Sequence, residues 1–358
     1  MVLRIAIFHT SLPSPSRKIG GVEAAVHRLA NTLAADSSLE VTVLSCDEKP
    51  ADALYHHKRL YPVAMRSQLF RLFVLPFLWN FYDFSAYDIV HLHGDDWFWF
   101  KRSVPTIRTM HGSALREAQT AKSFKRKLIQ YLVYPLERLS VRLATCSVAI
   151  GLDTQKLYGC DELIGNGVNL NRFVPRPKAA TPLLVFIGTW GGRKRGALAF
   201  ETFCKTVLPR FPNAQLHMVS DHAEPHPNVV EHRYLDDAAL GALLAEAWVF
   251  CYPSQYEGFG IPYIEAMASG TAIVTTRNPG AEEVLENGRY GIICGEAEFG
   301  QKLLDLLSDS AQRAELAALG ISRAKMFSDA GVAVRYTDLY REVQDRSVRD
   351  REVRVHAR

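Results

Sequence analysis

The same local pattern occurs twice in this sequence: a short apolar strand, then a loop that contains glycine, then an amphipathic helix. The first copy starts at residues 4–8 and continues through Gly20 and Gly21 to residues 23–33, where the apolar positions have helical spacing. The second copy starts at residues 183–187. Strands that are apolar on both faces are typical of the centre of a parallel sheet. The pattern therefore predicts an α/β chain with two Rossmann-like parallel-sheet domains.

Further short runs predict the remaining strands of each domain. We expect them at 40–45, 87–91 and 106–110 in the first half, and at 216–220, 228–231, 248–252 and 271–275 in the second. The proline-rich residues 174–182 predict a linker, which gives an N-terminal domain over 1–175 and a C-terminal domain over 176–326. Ligands of such sheets bind beyond the carboxyl ends of the strands, so the loops there hold candidate functional residues.

Composition narrows the class of protein. The 358 residues carry a net charge of only +4 and are 48% hydrophobic, which is typical of a soluble enzyme and predicts no nucleic-acid partner. The six cysteines form no C-x-x-C pair, so we expect reduced thiols, no metal cluster and a cytoplasmic location. No apolar run approaches the roughly 20 residues that span a bilayer, so no transmembrane helix is expected.

The most specific stretch follows the strand predicted at 248–252. A loop with Glu257, Gly258, Phe259 and Gly260 leads to Ile261 and Pro262, and proline is favoured in the first turn of a helix. Backbone N–H groups at a helix start favour an anion such as a diphosphate. Glu257 in the loop and Glu265 about one turn into the helix suit the hydroxyl groups of a sugar and a ribose. Two solvated glutamates beside a glycine cluster are the alternative that the spacing leaves open.

The loop after the strand at 183–187 carries three consecutive basic residues between glycines. They are Arg193, Lys194 and Arg195, in the segment from Gly188 to Gly196. Positive charge at this place would stabilise a departing diphosphate, because charge develops on that group as its bond breaks. A solvated basic turn is the alternative.

These elements resemble the motifs of the retaining GT-B glycosyltransferases of family 4, also described as glycosyl transferases group 1. Glu257 and Glu265 match the two acidic positions of the E-x7-E signature, and Gly20 and Gly21 resemble the glycines of the first loop. Residues 165–173 resemble the N-G-V-D-x-x-x-F element, with Asn169 in place of the aspartate. The resemblance implies a GT-B fold with two domains facing across a cleft, and a helix in 327–358 that crosses back to the N-terminal domain.

The resemblance also implies an activity. The donor would be a UDP- or GDP-linked hexose, and the acceptor would be a hydroxyl of a glycan or a lipid-linked glycan. Transfer would retain the anomeric configuration and need no metal and no cofactor. The implied catalytic residues are His111, Lys194 and Glu257, and the implied donor-binding residues are Gly21, Arg193, Lys194, Glu257, Gly258, Phe259, Gly260, Ile261 and Glu265. The first arginine of the family's basic loop falls at Thr189 here, so whether Arg193 or Arg195 takes its part is open.

Other polar clusters carry weaker predictions. His91 and His93 could hold a metal, but a structural role is the favoured interpretation because the sequence offers no matching third ligand. The pairs Asp95–Asp96 and Asp236–Asp237 lack the middle residue of the D-x-D element of metal-dependent transferases. By resemblance, the nucleobase packs near residues 232–234.

A basic window lies at residues 116–142, with seven basic and two acidic residues and therefore a net charge of +5. Aromatic and apolar residues interrupt it, and the aromatic residues 70–84 lie in the same half of the chain. This combination suits the headgroups of an anionic membrane, which would make the protein membrane-associated on the cytoplasmic face. A solvated charged face is the alternative.

Three rival functions fit parts of the same pattern. A nucleotide-sugar 2-epimerase has the same fold but needs no acceptor. A non-catalytic partner protein would bind nucleotide sugars without transferring them, although the combination of both glutamates, Lys194 and His111 argues against it. A peripheral membrane scaffold would use only the basic window.

Overall fold

The computed structural model describes residues 2–14, 20–62, 67, 69–121 and 123–356. The chain divides into two compact units. Unit 1 combines Met1–Leu115, Ile129–Gly167 and Asp329–Arg358, and unit 2 combines Arg116–Leu128 and Val168–Ser328. The units therefore divide at Gly167, before the proline-rich stretch at which the sequence analysis put the domain boundary.

Unit 1 contains a sheet of seven parallel strands, in the order β3-β2-β1-β4-β5-β6-β7. The strands are β1 (Leu3–Phe8), β2 (Leu39–Ser45), β3 (His56–Arg59), β4 (Ile89–Leu92), β5 (Thr106–Met110), β6 (Cys146–Ala149) and β7 (Glu162–Leu163). The first five helices are α1 (Gly21–Ala34), α2 (Leu75–Leu78), α3 (Ala114–Thr120), α4 (Phe124–Leu143) and α5 (Leu152–Tyr158). The unit boundaries at Leu115 and Leu128 fall inside α3 and α4.

Unit 2 contains a sheet of six parallel strands, in the order β10-β9-β8-β11-β12-β13. The strands are β8 (Leu183–Ile187), β9 (Gln215–Val219), β10 (Val229–His232), β11 (Val249–Tyr252), β12 (Ala272–Thr276) and β13 (Ile292–Cys294). Its helices are α6 (Gly196–Thr202), α7 (Asp237–Glu246), α8 (Ile261–Ala268), α9 (Pro279–Val284), α10 (Phe299–Ser308) and α11 (Ser310–Ala324). The predicted pair of Rossmann-like α/β sheets is confirmed.

The last helix, α12 (Asp329–His356), belongs to unit 1. Its residues Val332, Tyr336 and Tyr340 are buried in the same core cluster as Ile5 and Ile7 of β1. The C-terminal end of the chain thus helps to form the core around the first strand.

The strand order fixes where ligands can bind. In unit 1 the order reverses between β1 and β4, and in unit 2 it reverses between β8 and β11. Crevices for ligands form at such reversals, beyond the carboxyl ends of the two strands, because the two connections leave in opposite directions. The loops to examine are therefore those after β8 and β11 in unit 2, and after β1 and β4 in unit 1.

The sequence analysis missed four strands. β6 is buried inside its sheet, but its sequence Cys-Ser-Val-Ala is short and contains a polar serine. β3, β7 and β13 lie at sheet edges, and β3 has the sequence His-His-Lys-Arg. An edge strand is not buried on both faces, so it lacks the continuous apolar run that predicted the central strands.

Two further facts bear on the class of protein. Within the part of the chain that the structure describes, no helix has the length and apolar character needed to cross a bilayer. All six cysteines are free thiols.

Candidate active site

At the reversal in unit 2, the loop after β8 places Arg193 and Lys194 next to Glu257, which lies in the loop after β11. The loop after β8 folds Lys194 back toward the end of that strand, and Gly188 makes this possible. A Cβ at Gly188 would lie 2.9 Å from the Cβ of Lys194 and 2.9 Å from the ring of Phe186, closer than real Cβ atoms approach.

Four side chains converge on a single carboxylate oxygen, Oε1 of Glu257. Lys194 Nζ lies 2.6 Å from it and the guanidinium of Arg193 lies 3.0 Å from it. The hydroxyl of Tyr252 donates to it at 3.0 Å and the hydroxyl of Ser254 donates at 2.6 Å. Among the residues that the structure describes, none donates a hydrogen bond to the second oxygen, Oε2.

The electrostatics of this cluster favour an anion. Burial raises the pKa of Glu257, which is only 5% exposed, but the charges of Lys194 and Arg193 outweigh burial and hold the pKa below its ordinary value. Burial lowers the pKa of Lys194 despite the opposing effect of Glu257. Burial also acts to lower the pKa of Arg193, but Glu257 prevails and raises it. Two cations face one carboxylate, which leaves a net positive charge.

The backbone of the Glu257 loop is held in place by the end of β12 and the segment of the same chain that follows it. The side-chain amide of Asn278 donates to the carbonyl of Ser254 at 3.1 Å, and Thr276 Oγ1 donates to the same oxygen at 2.8 Å. The N–H of Gly280 donates to the carbonyl of Glu257 at 3.0 Å. Hydrogen bonds therefore fix both the main chain of this loop and the carboxylate of Glu257.

The helix after this loop begins as predicted. Helix α8 starts at Ile261 with Pro262 in its first turn, and Gly260 before it has a φ of 100°, in the left-handed region that favours glycine. Glu265 lies about one turn into the helix, 8% exposed. Phe259 is buried and packs edge-on against Phe327, with ring centroids 5.7 Å apart, and Gly258 is half-buried in the loop.

The structure distinguishes the two candidate arginines. Arg195 donates to the carbonyl of Pro253, to Thr276 Oγ1 at 2.9 Å and to Glu296, so its guanidinium braces the loops. Arg193 instead shares Glu257 with Lys194. Thr189, which stands where the family has its first arginine, donates to the carbonyl of Gly191 at 2.8 Å.

In unit 1, His111 follows β5 and pairs with His93, which follows β4. The Nδ1 of His93 lies 2.7 Å from the Nε2 of His111. Burial lowers the pKa of both rings well below 6.5, and the positive charges of neighbouring groups lower it further. Both rings border a pocket in unit 1, which is also lined by Arg28 of α1, by Asn166 in the segment after β7 and by residues of α12.

The other sequence candidates have structural partners. The ring nitrogens of His91 bond to the hydroxyls of Tyr340 and Thr109, at 2.7 and 2.8 Å. Asp96 is buried in ion pairs with Arg102 and Arg108, and Asp236 caps α7 by accepting from the N–H of Ala239. Among the residues described, no group of three or more histidine, cysteine, aspartate or glutamate side chains has the arrangement of a metal site.

Two remaining predictions concern single residues. Gly21 is the first residue of α1, where a Cβ would meet no atom within 4 Å. His232 lies at the end of β10 and its Nε2 is 3.1 Å from the Nδ1 of His217, while Tyr234 is exposed.

The sequence analysis missed Tyr252, Ser254 and Asn278. The only signal for Tyr252 was its place at the predicted end of a strand. Ser254 lies only three residues before Glu257, but its spacing alone did not mark it as a partner of the carboxylate. Asn278 contacts Ser254 and Tyr263, which are 24 and 15 residues away, and no local pattern reveals such contacts.

The basic window contains helix α4, and Lys122 of the window lies outside the described residues. Phe124, Leu128, Tyr131 and Leu132 follow helical spacing on α4 and are all exposed. These apolar side chains thus form one face of α4 that other parts of the protein leave uncovered, beside Lys125, Arg126 and Lys127.

Two family profiles match the chain. The profile described as Glycosyltransferase Family 4 matches residues 19–172, and the profile described as Glycosyl transferases group 1 matches residues 181–309. A phosphatidyl-myo-inositol mannosyltransferase from Mycobacterium leprae is 27% identical over 356 residues, covering 90% of this chain and 93% of the relative.

Solved structures share the fold over nearly the whole chain. The sucrose-phosphate synthase from Thermosynechococcus elongatus superposes with a TM-score of 0.76 at 19% identity, covering 95% of this chain and 99% of that one. Anabaena HepE, solved in complex with UDP and glucose, superposes with a TM-score of 0.71 at 14% identity, covering 94% and 99%.

Proposed function

The chain belongs to the GT-B glycosyltransferases, with the sequence profiles of family 4 and group 1, and we propose that it moves a hexose from a nucleotide diphosphate sugar to a hydroxyl of a glycan or lipid-linked acceptor. We propose further that the anomeric configuration is retained. The observation that carries the proposal is the Lys194–Arg193–Glu257 cluster at the strand reversal of unit 2.

Lys194 and Arg193 bind the diphosphate in this proposal. The bond between the sugar C1 and the diphosphate oxygen breaks as the oxygen of the acceptor hydroxyl bonds to C1. Negative charge grows on the departing nucleoside diphosphate, which takes up the proton that the hydroxyl loses. Positive groups that are already held in place stabilise that charge without reorganising. The N–H groups at the start of α8 add a second favourable dipole.

Glu257 has two functions in this proposal. Its Oε1 orients Lys194 and Arg193, while Oε2 accepts hydrogen bonds from the hydroxyls of the donor sugar. Glu265, in α8, accepts from the ribose. Gly21, Gly258, Phe259, Gly260 and Ile261 shape the donor site by their backbone, and His111 contributes a hydrogen-bonding ring nitrogen at the reacting centre.

Two observations support a lipid-linked acceptor at a membrane surface. The name of the Mycobacterium leprae relative, a phosphatidyl-myo-inositol mannosyltransferase, supports a lipid-linked acceptor and a hexose. The exposed apolar face of α4 with its neighbouring basic residues supports attachment to an anionic membrane on the cytoplasmic side.

A panel of UDP- and GDP-hexoses identifies the donor. A ligand that binds the native state raises the unfolding temperature by mass action, so one nucleotide class should stabilise the protein, and Lys194→Ala should abolish that shift. Incubation with the donor alone should yield no epimer, and adding an acceptor should yield product of unchanged anomeric configuration by NMR. Epimer formation without acceptor would support the 2-epimerase instead.

Flotation with vesicles tests the membrane contact. We expect the protein to float with phosphatidylglycerol vesicles and not with phosphatidylcholine vesicles. The double variant Phe124→Ser/Leu128→Ser should stay at the bottom of the gradient. Leu54→Ser removes an equally apolar side chain, 71% exposed, from another part of the surface and should float like the unmodified protein. Equal flotation of the double variant would contradict the role of α4.

A further inference from the structure

We propose that His93 is a positioning residue for His111: it fixes the proton of His111 on Nδ1 and is itself held by the C-terminal helix α12 through His91. The inference rests on the proposed role of His111, and it gives His93, His91 and the tyrosines of α12 that contact them a part in the reaction. Every residue involved belongs to unit 1.

The first step is the hydrogen bond between the two rings. His93 Nδ1 and His111 Nε2 are 2.7 Å apart. Burial keeps both imidazoles neutral, because it holds their pKa values well below 6.5, and the positive charge of Arg108 lowers these pKa values further. A neutral imidazole has one N–H and one bare nitrogen, so the proton of one ring dictates where the other ring carries its own.

The second step identifies which of the two histidines donates this hydrogen bond. His93 is 5% exposed, and its Nε2 has no hydrogen-bond partner among the described residues. An unpaired buried N–H is rarer in proteins than an unpaired buried acceptor. His93 therefore carries its proton on Nδ1 and donates it to His111 Nε2, and His111 carries its proton on Nδ1. In this state His111 presents a hydrogen-bond donor and does not act as a base.

The third step is what holds His93. The rings of His91 and His93 are in contact, with centroids 4.1 Å apart and their planes tilted by 40°. His91 cannot turn freely, because its Nδ1 bonds to the hydroxyl of Tyr340 at 2.7 Å and its Nε2 bonds to Thr109 at 2.8 Å. Thr109 in turn bonds to the hydroxyl of Tyr336 at 3.0 Å. Both tyrosines lie on α12, so the last helix orients the histidines at the ends of β4 and β5.

Substitutions of His93 separate positioning from packing. Asparagine puts an amide where Nδ1 of histidine lies, whereas glutamine puts it where Nε2 lies. We expect His93→Asn to keep most of the turnover. We expect His93→Gln and His93→Leu to lower kcat by about 10-fold to 100-fold, with an unchanged donor KM, as misorientation of a reacting group does. Equal kcat for all three variants would overturn the proposal.

The hydrogen bond from α12 to His91 can be tested by removing the hydroxyl of Tyr340, and Tyr55 of unit 1 provides a matched control. Tyr340→Phe removes a hydroxyl 2.7 Å from the Nδ1 of His91, and Tyr55→Phe removes a hydroxyl 2.8 Å from the Nδ1 of His27. Both tyrosines are buried. The two variants should lose similar stability, but only Tyr340→Phe should lower kcat. An equal kcat in the two variants would contradict a role for α12 in positioning.

Nitrogen NMR distinguishes failure of this inference from failure of the proposed function. In the unmodified protein the His111 signals should show the Nδ1–H form, and in His93→Leu they should show a mixture of both forms. An Nε2–H form in the unmodified protein, or no change in His93→Leu, would overturn the inference whatever the turnover is. Normal turnover in His111→Leu, which has no hydrogen-bonding group, would instead contradict the role of His111 in the proposed function, and with it any catalytic consequence of His93.

Discussion

At the scale of single residues, Glu257 is the centre of the charge cluster in the candidate site. A carboxylate that is 5% exposed stays ionised only because Lys194 and Arg193 compensate its burial. The same pairing holds the two cations in a fixed place, so that an anionic ligand meets charges that are already oriented. The sequence predicted all three residues but gave no sign that they contact each other, because Lys194 and Glu257 are 63 residues apart.

The two arginines of the basic loop should respond differently to substitution. Arg193→Met removes a charge from the Glu257 cluster, so we expect kcat/KM to fall by about 100-fold. Arg195→Met removes contacts with Pro253, Thr276 and Glu296, so it should lower the free energy of unfolding by about 1–3 kcal/mol and leave most of kcat. Steady-state kinetics and urea unfolding of both variants check this. If Arg195→Met instead lowered kcat/KM and Arg193→Met only lowered stability, Arg195 would be the arginine that binds the donor.

At the scale of elements, the loops and helix starts explain residues whose sequence pattern was ambiguous. Pro262 predicted the start of α8 correctly because a proline in the first turn loses no helical hydrogen bond. The pair Asp236–Asp237 could be mistaken for the D-x-D metal motif, although it lacks the middle residue. In the structure Asp236 accepts a hydrogen bond from the N–H of Ala239 at 2.8 Å and caps α7. Local helix chemistry therefore accounts for it.

Asp236→Ala tests the cap. Losing the side-chain acceptor leaves an N–H at the start of α7 without its partner, so the free energy of unfolding should fall by about 1 kcal/mol with little change in kcat. Asp236→Asn keeps a capping oxygen and should restore the stability. Chemical unfolding monitored by circular dichroism gives the comparison. A loss of turnover in both variants, without a loss of stability, would indicate a functional role for Asp236 instead.

At the scale of the whole molecule, the sequence predicted the interior strands except β6, but not the contacts between distant segments. Strands 4–8 and 183–187 are visible because burial on both faces demands apolar residues throughout. The bond between His91 and Tyr340 joins residues 249 apart, and it exists because α12 packs into the core of unit 1. The hydropathy pattern of the sequence does not show which polar side chains form hydrogen bonds once α12 has packed into the core.

Acid should destabilise unit 1 through its buried histidines. Burial lowers the pKa of His91 to about 3 and lowers the pKa of His93 and His111 well below 6.5. In the unfolded chain these histidines take up protons near pH 6.5, whereas in the native state they stay neutral. The native state is therefore fully stable, as far as these histidines are concerned, above pH 6.5, and its free energy of unfolding falls as the pH drops below that value.

Each such histidine should contribute a slope of about 1.4 kcal/mol per pH unit below pH 6. Urea unfolding between pH 7.5 and 5 measures the slope, and His91→Gln should reduce it by the amount of one histidine. The same substitution at the exposed His56 serves as the control. An unchanged slope in His91→Gln would mean that the native state protonates His91 in this range.

The most direct test of the central claim is hexosyl transfer by Lys194→Ala and Glu257→Ala, measured with the donor that the binding panel identifies and a lipid-linked acceptor. If the cluster in unit 2 binds the nucleotide diphosphate sugar, both variants fold, as circular dichroism would record, and neither forms product. Near-normal turnover in either variant would contradict the claim that this cluster carries out the transfer.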